Sequence, residues 1–377
     1  MSITYSKVRC IVDLEAIRHN YRLMKKDAGN VVPVIKSDAY GHGLEQVARA
    51  LEDEGAANFA VGYVREAVDL RKAGISGDII SLLGPVDMDD CEAIIEHDIV
   101  GFVGHFETLA RLAYKADGRP VRISLKFDTG MSRLGFTREE LPKLKAFLRG
   151  RPNIVPVMAS SHLAVADDPA SREITAAQAQ VFCEIVEDLR ASGFAVQASL
   201  ANSAAIMGHE GCRLDVQRAG ISLYGGNPYA GTEWESLGDD LRPAMQVAAP
   251  VLHVHTLDKG RGISYGHTFT ADRDMTVAVV GAGYADCYSR GLSNTGWVNV
   301  GGVRCPIVGR VCMQMTAVDI SPAEAAGVQV KTGDDAWLLG GPGDGRISPQ
   351  DLADWWGTIT YEVFCVLGMN RREYPDT

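Results

Sequence analysis

VVPVIKSDAYGHGLEQVARALEDEG, residues 31–55, places a five-residue apolar run, a lysine and a glycine-bracketed turn ahead of an amphipathic segment. The run has no polar alternation, so it predicts a strand buried on both faces, as in parallel sheets covered by helices. The segment from Leu44 repeats apolar residues at helical spacing and ends at Gly55, a C-terminal stop. The unit recurs. Apolar runs at 58–63, 78–84, 99–104, 121–127, 154–163, 195–201 and 216–225 follow, with helical segments such as REAVDLRKAG, ETLARLAYKA and TAAQAQVFCEIVEDLRASG between them. Eight units predict a (β/α)8 TIM barrel. An open doubly wound sheet is the competing architecture, disfavoured by the unit count and by the absence of a glycine-rich first turn.

After Gly226 the texture changes. NPYAGTEWESLGDDLRP is polar and turn-rich and reads as a linker. The stretches AMQVAAPVLHVHTL, MTVAVVGAGY, WVNVGGVRCPIVGRV and DAWLLGG then predict short strands, with only LADWWGTITYEV helical. The expected organisation is a barrel over 1–240 and a mostly antiparallel β domain over 241–377, with residues 1–10 free to pack with the second. A chain of 377 residues fits two domains at about 150 residues each with one enlarged.

Composition bounds the function. Apolar residues at 46% with 23% charged are ordinary globular usage, which excludes disorder and fibres. A net charge of −11 repels nucleic acid and anionic membrane surfaces. The eight cysteines form no Cys-x-x-Cys pair, so neither a disulfide framework nor a structural zinc is expected, and a reducing cytoplasmic setting fits. No signal-peptide layout opens the sequence and no apolar run approaches the ~20 residues of a membrane span.

Barrel enzymes place working groups where strands end. Lys36 stands at the end of the first run. Read alone it is either a snorkelling lysine or a desolvated amine able to form a Schiff base. The seventh and eighth runs end in ANSAAIMG and QRAGISLYGG, supplying Ser203, Gly220 and the Ile221 backbone where barrels commonly bind phosphate. Each glycine alone merely marks a tight turn. A phosphate site together with a strand-end amine suggests pyridoxal 5'-phosphate.

The motifs VIKSDAYGHG (34–43), KFDTGMSRLGF (126–136), SSHLA (160–164), ANSAA (201–205), QRAGISLYG (217–225), ISYGHTF (263–269), GYAD (283–286) and GRVCM (309–313) together resemble the alanine racemase family, in order and over nearly the whole chain. The resemblance implies a dimer whose active site is shared between subunits, acting on a small amino acid to supply D-alanine for peptidoglycan. Lys36 would hold the cofactor and serve as one base, and Tyr265 from the second domain of the partner subunit would serve as the other. A tyrosine, with an ordinary pKa near ~10, needs help at neutral pH, and the resemblance assigns that help to His162 with Arg218 behind it. Arg218 would also face the pyridine nitrogen, where an always-charged donor leaves that nitrogen unprotonated. Tyr40, Ser203, Gly220, Ile221 and Tyr361 match the phosphate-binding set. Arg133 and the Met313 N–H match the substrate-carboxylate site, Lys126 a lysine carried as a carbamate, and Tyr284 and Arg290 the access corridor. Read by itself, His162 is a satisfied strand-end histidine and Lys126 the partner of a neighbouring carboxylate.

The chain also departs from the family pattern. Ser199 stands where a histidine usually backs the arginine, Ala219 replaces a proline, and Gln314-Met315 replaces Asp-Gln. Serine or a broader amino-acid set is therefore an alternative substrate. A cofactor carrier without turnover and a cofactor-free aldolase-type barrel are the alternatives of other kinds.

Overall fold

The computed structural model describes residues 5–375. Its contacts divide the chain into two compact units: Ile17–Ala39 with Leu44–Arg242, and the residues up to Ala16 with Tyr40–Gly43 and everything from Pro243.

The first unit is built on eight parallel strands. β1 (Arg9–Val12) precedes them in the chain and belongs to the other unit. β2 (Val31–Pro33), β3 (Asn58–Val61), β4 (Asp78–Ser81), β5 (Val100–Val103), β6 (Val121–Lys126), β7 (Ile154–Ser160), β8 (Gln197–Ser199) and β9 (Gln217–Ala219) fall inside the eight apolar runs. β3 to β8 form a six-stranded parallel sheet and β2 pairs with β9. The circle closes through a Val34–Ala60 bridge and through Val216 N–H to Ala198 O (3.1 Å) and Arg218 N–H to Ala201 O (2.9 Å). The barrel is thus a packed core. Ile35, Phe59, Val61, Ile79, Val103, Leu125 and Ala159 are all buried in it.

The helices follow their sequence pattern. Leu44–Asp53 buries Val47, Ala48, Ala50 and Leu51, and the chain turns out of it at Gly55 with φ 85°. The polar segment after Gly226 is not a free linker. Tyr229 is fully buried, donating to the carbonyls of Ala166 (3.0 Å) and Ala204 (2.8 Å), and Trp234 packs on it. Two large rings anchored by a satisfied hydroxyl outweigh the polar composition around them.

The second unit is mostly antiparallel. β10 (Met245–Leu257) is its hub, pairing with β1 and β17 (Asp335–Leu339) along its first half and with β13 (Met275–Val280) along its second. β11 (Gly262–Ile263) and β12 (Phe269–Thr270) form a small ribbon, and β16 (Thr316–Asp319) extends β13. β14 (Trp297–Val300) and β15 (Val303–Pro306) are a hairpin closed by Gly301-Gly302, whose φ values of 60° and 92° suit the turn that matches strand twist. β18 (Arg371–Glu373) lies parallel to β1. The one segment expected to be helical is two helices, Pro349–Trp356 and Thr360–Leu367, parted at Gly357 with φ 78°. No helix among the described residues is long and apolar enough to cross a membrane.

Candidate active site

Lys36 follows β2 and is half-buried. The chain beyond it makes a left-handed turn, with φ of 55°, 55°, 54° and 52° at Ser37, Asp38, Ala39 and Tyr40, none of them glycine. Each such residue costs about 1–2 kcal/mol, so the turn exists because its surroundings hold it. The Glu66 carboxylate accepts from the Asp38 N–H (3.1 Å), and the Asp38 carboxylate accepts from the Leu44 N–H (2.7 Å).

Around Lys36 the other strand ends bring in a positive cluster. Lys126 ends β6 and is 7% exposed, its Nζ donating to the Phe127 carbonyl (2.9 Å). Burial, aided by the charges of Arg218 and Arg133, pushes its amine down to about 7 against the pull of Asp128. Arg218, on β9, is 5% exposed; burial lowers its guanidinium to about 10, which still leaves it charged at neutral pH. It donates to Ser199 Oγ (2.5 Å) and to the carbonyls of Ser161 (2.5 Å) and Leu200 (3.3 Å), and it approaches His162 Nδ1 at 3.5 Å. Burial first, then the charges of Arg218, Lys126, Arg133 and Lys36, hold His162 well below its ordinary value, so the ring is neutral. Arginine only donates, so Nδ1 accepts and the ring proton sits on Nε2.

Arg133 is exposed on the loop after β6. That loop is shaped by Asp128, whose carboxylate takes the N–H groups of Gly130 (2.9 Å), Met131 (3.0 Å) and Ser132 (3.1 Å). Burial opposes the ionised form of Asp128, yet these donors carry it below the ordinary carboxylate value. Beyond β8, Asn202 caps the helix Ser203–Gly208 by accepting from the Ala205 N–H (3.0 Å). Ser203 Oγ accepts from the Gly220 N–H (2.8 Å), and Ile221 opens the next helical turn with its N–H ahead of the first intrahelical bond. Ser203, Gly220 and Ile221 form one small cradle of a hydroxyl and backbone donors. A metal centre is not among these arrangements: no group of three His, Cys, Asp or Glu among the described residues is placed to hold one.

The remaining residues singled out from the sequence lie in the second unit. Tyr40, buried, has its ring 6.1 Å from that of Tyr361, and burial raises its phenol. Tyr265 is 68% exposed on a turn whose neighbours Ser264 and Gly266 have φ of 63° and 74°. Three loops meet there. Ser264 Oγ donates to the Arg310 carbonyl (2.7 Å), and Tyr284 and Ala285 donate their N–H groups to the carbonyls of Cys312 (3.0 Å) and Met313 (2.8 Å). Arg290 reaches the Val311 carbonyl at 3.4 Å. Tyr265, Tyr284 and Met313 are all exposed.

The sequence is similar to known proteins along its whole length. Residues 12–228 match the family model "Alanine racemase, N-terminal domain" and residues 244–374 "Alanine racemase, C-terminal domain". The chain belongs to the alanine racemase family. It is 53% identical over 377 residues to an alanine racemase of Nitratidesulfovibrio vulgaris (strain DSM 19637 / Miyazaki F), covering all of both chains. Against that of Lawsonia intracellularis identity is 41%, over 97% of this chain and 96% of the relative. The structure resembles the alanine racemase from D-cycloserine-producing Streptomyces lavendulae with TM-score 0.90, 32% identity and coverage of 99% and 98%. The biosynthetic alanine racemase from Pseudomonas aeruginosa gives TM-score 0.86 at 33% identity, with coverage of 98% and 99%.

Within this alanine racemase family member, the Ser199 hydroxyl is an acceptor for Arg218. Three further groups escaped the sequence reading. Ser161 offers its carbonyl to Arg218 while its hydroxyl shares the Phe127 carbonyl with Lys126, linking the two buried cations. Asp128 shapes the Arg133 loop. Glu66 lies three residues after Tyr63, an N-terminal capping position that lacks the Ser/Thr which would have flagged it.

Proposed function

We propose that the chain racemises alanine with pyridoxal 5'-phosphate as cofactor, in a dimer in which each site takes Tyr265 from the other subunit. The observation that carries the reading is the set of four basic side chains, Lys36, Lys126, Arg133 and Arg218, around one neutral histidine, with the hydroxyl and backbone cradle of Ser203, Gly220 and Ile221 beside it. Such a donor set fits a ligand with two anionic ends, a phosphate and a carboxylate. When bound, the cofactor supplies an electron sink that makes the substrate's α-proton removable.

The chain's own groups do the rest. Lys36 would hold the cofactor's aldehyde and, once released from it, take or return a proton on one face of the α-carbon. Tyr265 would do the same on the opposite face, and its exposure leaves its hydroxyl free to enter another subunit's site. His162, with its proton on Nε2, would donate to the oxygen of that tyrosine. Arg218 would face the pyridine nitrogen, and since it only donates, that nitrogen stays unprotonated. Tyr40 and Tyr361 complete the phosphate set.

Arg133 and the Met313 N–H would bind the substrate carboxylate. Lys126, with its amine held down to about 7, is largely neutral above that pH, the form that adds carbon dioxide. The nitrogen–carbon bond forms, a proton leaves, and the carbamate presents a negative charge to Arg133. Tyr284 and Arg290 would line the access corridor. D-alanine supply for peptidoglycan in the cytoplasm completes the reading.

The test is L-alanine in deuterated water with cofactor-loaded protein. Deuterium at the α-carbon together with D-alanine supports the reading, and neither product appearing would sink it. Comparing kcat/KM for alanine and serine fixes the substrate, since one extra hydroxyl in a small pocket changes binding by only ~1–3 kcal/mol.

A further inference from the structure

We propose that Glu66 is a positioning residue for Lys36: its carboxylate keeps the left-handed turn wound, and the turn fixes where the lysine amine stands. The inference rests on the reading of Lys36 given above. Glu66 sits at the start of the helix Val64–Lys72, and its two oxygens do different work. Oε2 takes the N–H groups of Gly62 (2.8 Å) and Tyr63 (3.0 Å), ends of β3 and of the helix that would otherwise lack acceptors. Oε1 reaches across to the neighbouring strand end and takes the Asp38 N–H at 3.1 Å. Asp38 is the second of four consecutive left-handed residues, and it passes the constraint on through its own carboxylate to the Leu44 N–H at 2.7 Å.

Gly62 completes the arrangement. A Cβ there would stand 3.0 Å from Glu66 Oε2, a tight approach, and in ordinary contact with Lys36 Cβ at 3.5 Å, so the missing side chain leaves the carboxylate its room beside the lysine. For ordinary residues the right-handed conformation is locally favoured by about 1–2 kcal/mol each. Without the bond from Asp38 the turn would relax toward that conformation, and Lys36, one residue upstream, would relax with it.

Glu66→Gln separates the two tasks. The amide has one carbonyl oxygen; placed at the cap it still accepts from Gly62 and Tyr63, and its NH2 then faces the Asp38 N–H, donor against donor. The helix is kept and the turn is released. Hydrogen exchange at the Asp38 amide should be faster in E66Q than in the wild-type chain. The rate at which pyridoxal 5'-phosphate is trapped by borohydride on Lys36, read by peptide mapping, should fall about tenfold or more, as displacement of a reacting group by an ångström predicts. Adding Ser37→Gly, which makes φ 55° costless at an exposed site, should restore most of that rate. A residue that only caps its helix would not be rescued from position 37. Unchanged trapping in E66Q, unchanged exchange at Asp38, or no rescue by S37G overturns the proposal. Wild-type protein that labels Lys36 normally but exchanges no α-proton defeats the racemase reading alone and leaves Glu66 in its role.

Discussion

Ser199 shows how a small hydroxyl can serve a buried guanidinium. The serine Oγ lies 2.5 Å from the guanidinium, and the carbonyls of Ser161 and Leu200 take further N–H groups. Ser199→Ala leaves part of a buried charge without an acceptor, so urea titration should show a loss of about 1–3 kcal/mol, larger than for an exposed serine. The kcat for alanine should fall while KM moves little, because Arg218 does not meet the substrate carboxylate. Lys126 gives a pH signature at the same scale. Folded, its amine titrates near 7, against an ordinary value of 10.5. Between those values the unfolded chain holds a proton that the folded one gives up, so stability should rise as pH increases from 7 to 10.5. Below 7 both states hold it and the penalty is constant. Thermal unfolding from pH 7 to 10 in bicarbonate-free buffer, compared with Lys126→Met, measures this; bicarbonate should flatten the slope by converting the amine.

At the scale of elements, the loop after β6 is where backbone chemistry places Arg133, the residue proposed to meet the substrate carboxylate. Gly135 has φ 139°, and a Cβ there would meet the Asp128 N at 2.4 Å and the Phe127 C at 2.5 Å. Gly135→Ala cannot keep the close approach to residues 127–128 that holds the two ends of the loop together through Asp128 N–H to Phe136 O (3.0 Å) and Phe136 N–H to Lys126 O (2.8 Å), so Arg133 loses its place. The expected result is a KM for alanine raised about tenfold, with a smaller change in cofactor affinity, since Ser203, Gly220 and Ile221 follow other strands, β8 and β9. Most of this scale was legible beforehand. Every barrel strand lies within its apolar run because burial on both faces leaves an uninterrupted signature. The segment after Gly226 was misread because its anchors, Tyr229 and Trp234, are two residues in a polar stretch, and composition averages them away. Glu66 was hidden for a similar reason: an N-terminal glutamate is common, and only the fold sets Asp38 before its second oxygen.

For the whole molecule, the sharpest expectation follows from placing Lys36 in one unit and an exposed Tyr265 in the other. If each site takes its tyrosine from a second copy, Lys36→Ala and Tyr265→Ala chains are separately inactive yet complement each other. Mixed by unfolding and refolding together, half the dimers are hybrids, and each hybrid has one site with both residues intact. Activity should recover to about a quarter of wild type, as two-fold symmetry dictates. No recovery, with hybrid dimers present by mass, would show that Tyr265 serves its own subunit's site.

Sequence by itself determined the repeat of eight buried strands and the change of texture after Gly226, because periodicity is a local property, and the resemblance of its motifs to the family nominated Lys36, His162, Arg218 and Tyr265. Tertiary structure decided which of these feel one another. The lowered amine of Lys126, the neutral ring of His162 and the left-handed turn held by Glu66 each arise from groups on different strands. Burial and charge act through space, and no spacing along the chain records them.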